Sequence, residues 1–208
     1  MNSLVLFGIL VFLNFLLSFG INRLILTEDV YYYALIDTLS EERIHELLNS
    51  QKKFEWIIYS FGPVVYALKL FLMAACIYIG FFFRNLTVKF STLFEVALKS
   101  EFVFLLIPAA RLFWFTFFDQ NYSLDNVLEF PSYTAASIFP HGFLAFWIKY
   151  PLGFVNIIQL AYILILAKGI SNDLEMKYSD SATLVFQTYG VALLIWILFT
   201  LFLLISYS

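Results

Sequence analysis

Three ionisable side chains, Lys69, Glu101 and Arg111, lie inside long apolar runs. A charged group at bilayer depth costs at least ~2.5–3.5 kcal/mol on the insertion scale and usually faces a partner or a wet cavity. Two chemistries follow: an ion or proton path, or a structural pair that fixes the register of two helices. One Lys and one Glu at similar depth favour the pair. With the intervening turn near Leu86, Lys69 lies ~26 Å and Glu101 ~22 Å from it at ~1.5 Å per residue. The two are therefore expected to approach each other. Arg111 lies further along the same helix and is expected to head for the opposite interface.

Other constellations carry less. Glu41-Glu42-Arg43-Ile44-His45-Glu46 has the residue types of a metal or hydrolase site, but His141 is the only other histidine. A zinc site needs three or four converging ligands, so a solvated charged helix face is the better reading. The serines lack a Gly-x-Ser-x-Gly setting, and there is no glycine-rich phosphate loop. Asn85-Leu86-Thr87 and Asn121-Tyr122-Ser123 fit the glycosylation triplet, but they flank one spanning helix and face opposite sides, so chance explains them better. Cys76 is the only cysteine and has no intrachain partner. No catalytic, cofactor-binding or metal-binding residue is expected. The net charge of −3, without a basic stripe, sets nucleic acid aside as a partner.

The elements that hold the three charges must be apolar helices. Hydrophobic residues make up 62% of the chain and charged ones 13%, against about 25% charged in soluble domains. There is too little polar surface to face water, and several runs reach the ~20 residues needed to cross a hydrocarbon core. The expected fold is all-α: a polytopic membrane helix bundle in one transmembrane domain, residues 1–208. Its five spans are placed at about 4–26, 56–83, 91–118, 152–167 and 182–207. The first is read as a retained helix, since no Lys or Arg precedes it as in a signal peptide. Short interfacial amphipathic helices are expected at Thr38–Lys53 and around Leu124, Val127 and Leu128. Thr38 with Glu41, and Thr92 with Glu95, read as capping boxes. Pro63 and Pro108 should bend their helices, Pro131, Pro140 and Gly142 should break the third connection, and Pro151 precedes the fourth span. A polar loop is expected from Lys168 to Asp180. Basic residues divide evenly between the two sets of loops, so orientation is not settled. An odd number of spans does not fit the inverted repeats of many transporters.

Three passages resemble the YIP-type (Ypt-interacting-protein) membrane domain family: Lys89-Phe90-Ser91-Thr92-Leu93-Phe94-Glu95-Val96-Ala97-Leu98, Phe104-Leu105-Leu106-Ile107-Pro108, and Pro151 to Ile170. The resemblance covers roughly residues 56–207. It implies five packed helices, a cytoplasmic N-terminus, no catalytic residues, and a bacterial-type relative in the inner (cytoplasmic) membrane. The implied role is a non-enzymatic accessory or scaffold subunit that meets membrane lipid and other membrane protein subunits. A small permease-like subunit moving a solute or lipid with partners is the alternative.

Overall fold

The computed structural model describes residues 2–130, 134–139, 143 and 145–206. Expectations placed on Pro131, Pro140, His141, Gly142 and Tyr207 lie outside the described residues. The described chain is helical: α1 (Ser3–Leu24), α2 (Glu28–Leu35), α3 (Glu41–Phe83), α4 (Phe90–Glu101), α5 (Leu106–Phe117), α6 (Leu124–Leu128), α7 (Phe146–Phe154), α8 (Ile157–Asp173), α9 (Tyr178–Val185) and α10 (Val191–Ser206). Short 3-10 turns occupy Phe102–Leu105 and Ala135–Ile138, and a π turn, Phe186–Gly190, joins α9 to α10. One isolated antiparallel bridge joins Thr134 and Asn156.

Among the described residues, three helical stretches are long and apolar enough to cross a membrane: Ser3–Leu24, Tyr59–Phe83 and Tyr178–Ser206, with mean hydropathies of 2.6, 2.1 and 2.4. The other two expected spans are each interrupted. Pro108 has no N–H to offer the Phe104 carbonyl, and its ring crowds that turn. The 3-10 turn Phe102–Leu105 lies there and separates α4 from α5. In the fourth expected span, Asn156 accepts the Gln159 backbone N–H at 2.6 Å and starts α8 afresh, so α7 containing Pro151 is a separate helix. The expected bounds 152–167 thus become 146–154 and 157–173.

Several boundaries differ from the sequence expectations for local reasons. The segment Thr38–Lys53 is not a separate amphipathic helix. From Glu41 on it is the first part of α3, a helix of 43 residues. Glu, Gln, Lys and Leu are good helix formers, so charge does not end the helix. The Thr38 hydroxyl donates to the Leu35 carbonyl at 3.1 Å instead of capping α3. At α4 the N-cap is Lys89, which places Thr92 inside the first turn and removes the second capping box. The loop expected from Lys168 shrinks to residues 174–177, and the last helical run starts at Tyr178. Asn85 closes the turn after α3 at φ 53°, with Leu86 N–H on the Phe81 carbonyl and Asn85 N–H on the Phe82 carbonyl, each 3.0 Å. This is the left-handed helix ending for which Asn is the usual stand-in for Gly.

The chain divides into two units, Met1–Leu68 with Leu105–Phe130, and Lys69–Phe104 with Pro131–Ser208. In the first, α1 runs antiparallel to the adjoining part of α3. Asn14 donates to the Tyr66 hydroxyl at 2.7 Å and Asn22 to the Tyr59 hydroxyl at 3.1 Å. Lys52 pairs with Glu28 and ties α2 to the same helix. Ile21 of α1 and Ile25, which caps its end, pack with Phe115 of α5 and Val127 of α6, and the Tyr122 hydroxyl donates to the Ile25 carbonyl at 3.1 Å. In the second unit α8 packs against α4 and α9, while α7 packs against α10. Gly169 makes the α4–α8 approach feasible, since a Cβ there would stand 2.6 Å from Val96 Cγ1.

Candidate functional site

Lys69 of α3 and Glu101, the last residue of α4, meet in the second unit, Nζ to Oε1. Glu101 ends its helix where the 3-10 turn begins, and that turn supplies Phe104, whose ring centroid lies 4.2 Å from Lys69 Nζ. The ammonium is thus held by a carboxylate and an aromatic face, both of which favour a cation. The two ends of the pair differ in surroundings. The Glu101 side chain is fully buried, while the Lys69 side chain is 41% exposed. Glu101 Oε2 is buried without a hydrogen-bond partner.

A row of polar side chains continues from this pair. The Phe104 and Tyr162 rings lie 5.0 Å apart, and Tyr162 directs its hydroxyl to Met73 Sδ at 3.3 Å. Tyr162 and Tyr189 meet edge to face at 5.6 Å, and Gln159 Nε2 donates to the Tyr189 hydroxyl at 2.5 Å. Tyr162, Gln159 and Tyr189 are all buried. Each polar tip has a partner, Gln159 with Tyr189 and Tyr162 with Met73, as buried polar groups must. Tyr189 stands in the π turn, a local widening of the helix often retained at functional positions.

Sequence reasoning reached Lys69 and Glu101 but passed over Phe104, Gln159, Tyr162 and Tyr189. A signal existed for two of them. Gln159 and Tyr162 share the spacing of Leu166 and Ile170, the buried stripe of α8. Tyr189 offered none, because the π turn shifts its face.

Arg111 belongs to the first unit. It lines a cleft of about 440 Å³ between α1, α3 and α5, with Asn14, Ser18, Asn22, Tyr59 and Tyr66 among the walls. Its Nε is buried, and among the described residues it has no hydrogen-bond partner and no carboxylate lines the cleft.

Among the described residues, no group of three or more His, Cys, Asp and Glu could hold a metal ion. Within the Glu41–Glu46 cluster, Arg43 and Glu46 form an exposed ion pair at 3.0 Å. No protein-family profile, no curated protein and no solved structure matches the chain.

Proposed function

We propose that this chain is a five-span, YIP-like protein of a bacterial inner membrane that acts through its contacts, as a non-enzymatic accessory or scaffold subunit. The observation carrying this reading is the half-exposed side chain of Lys69. Lys69 stands near the middle of Tyr59–Phe83, flanked by the exposed Phe71 and Leu72. Hydrocarbon is a poor neighbour for an ammonium flank at that depth. A polar group on a neighbouring polypeptide answers the charge, and the large apolar residues around it suit helix-to-helix packing.

Packing supports the fourth, interrupted crossing. α8 lies on α9 and α7 on α10, so residues 146–173 run the length of the last span in reverse. A hairpin would have folded α7 onto α8 instead. A photo-crosslinking residue in place of Leu72, activated in native membranes, should yield a polypeptide adduct. Lipid adducts alone, with a monodisperse monomer on mild extraction, would sink the proposal.

The permease-like alternative draws on the polar cleft around Arg111. Solute flux by the purified chain in liposomes would favour it over the accessory role.

A further inference from the structure

We infer that the Arg111 cleft binds an oxyanion, the phosphate or carboxylate of an anionic amphiphile. The inference is independent of the accessory role and concerns the first unit alone.

The cleft's charge is one-sided. Among the described residues Arg111 is its only charged wall residue; the other polar walls are neutral amides and hydroxyls. Two of the amides are already engaged, Asn14 with the Tyr66 hydroxyl and Asn22 with the Tyr59 hydroxyl. Neither can serve as a counter-charge. An Arg side chain is a fork of five donors matched to planar or tetrahedral oxyanions and does not lose its proton in proteins. Its Nε here is enclosed yet unmatched. A buried donor left unmade costs about 1–3 kcal/mol, more when charged. An anion with two oxygens presented to the fork removes that cost.

Size and wall chemistry narrow the ligand. At about 440 Å³ the cleft exceeds what single bridging waters need, a water's share of liquid volume being ~30 Å³. Val11, Phe15, Ile21 and Leu26 add apolar walls beside the polar ones. Two of the three flanking helices contribute membrane-capable stretches, Ser3–Leu24 and Tyr59–Phe83. A molecule arriving through the lipid, with an anionic head and an apolar continuation, meets both kinds of wall. A monoanion balances the single guanidinium.

The test uses the full chain purified in mild detergent, with dioleoyl phosphatidylglycerol, dioleoyl phosphatidylcholine and inorganic phosphate as probes. Native mass spectrometry should show one phosphatidylglycerol retained at least about tenfold more tightly than phosphatidylcholine, the scale of one charge-assisted bond. Arg111→Gln should abolish the preference and Arg111→Lys should keep part of it. Displacement of the lipid by millimolar phosphate identifies a free anion as the source; resistance to phosphate identifies the lipid. Should Arg111→Gln fail to fold, Ser18→Leu, which fills the cleft and leaves the charge, should lose the bound lipid. Equal retention of both lipids by the wild type with no phosphate binding would overturn the inference. So would an unchanged preference in a folded Arg111→Gln.

Discussion

Lys69 and Glu101 form an ion pair with one end buried and the other half-exposed. Breaking a buried pair by removing one partner strands a charge and costs about 3–5 kcal/mol, whereas replacing both can be neutral. Lys69→Met strands the fully buried Glu101 carboxylate and should cost about 3–5 kcal/mol. Lys69→Met combined with Glu101→Leu should recover most of that loss. Denaturant unfolding in detergent measures the cycle. Additive losses in the double variant would show that the pair does not fix helix register.

The approach of α4 to α8 depends on the missing side chain of Gly169. A Cβ there would lie 2.6 Å from Val96 Cγ1, with Val96 Cβ at 3.7 Å. Overpacking of this kind costs about 1–3 kcal/mol. Gly169→Ala should lower the thermal midpoint, and adding Val96→Ala should restore part of it. Failure of the second change to help would place the strain elsewhere.

How much of this was legible in the sequence differs by residue. Lys69 and Glu101 stood out because charges in apolar runs are conspicuous, and the Leu86 turn placed them at similar depths. The three uninterrupted membrane-capable stretches followed from hydropathy alone. The union of Thr38–Lys53 with the second span did not, since Lys52 and Lys53 look like a boundary yet are good helix formers. Pro108 announced a defect, but whether the helix bends or passes through a 3-10 turn is decided by packing. The polar walls around Arg111 come from α1 and α3, distant in sequence, and only folding assembles them.

At the α2–α3 link, the Lys52 ammonium beside Glu28 holds its carboxyl below the usual range. A carboxylate with a depressed folded value stabilises the fold above its unfolded value of ~4.3. That contribution fades as pH falls through the lowered folded value. Both groups are solvent-exposed, so screening keeps the effect small. Hydrogen exchange across residues 28–35 should quicken on acidification in this window, relative to neighbouring segments. Glu28→Gln should remove the pH dependence while leaving the rest of the profile unchanged.

The number of crossings can be read from one loop. With five spans, the α3–α4 turn at Asn85 and the α8–α9 turn at Glu175 share a side. The early part of α3, at Ser50, and the α5–α6 connection, at Asn121, share the other. With only the three uninterrupted stretches crossing, Asn121 would join Asn85 and Glu175. The proposed reading is five. Lys99 reaches Glu95 at 3.1 Å and Asp173 at 3.7 Å, and Asp173 ends α8. That network joins α4 to the end of α8 within the second unit. Deeper along α4, Glu101 already has Lys69. Single cysteines at Ser50, Asn85, Asn121 and Glu175, placed in a Cys76→Ser background, should label with a membrane-impermeant maleimide in two pairs. Asn121 labelling with Ser50 is the expected result; Asn121 labelling with Asn85 would reduce the protein to three crossings.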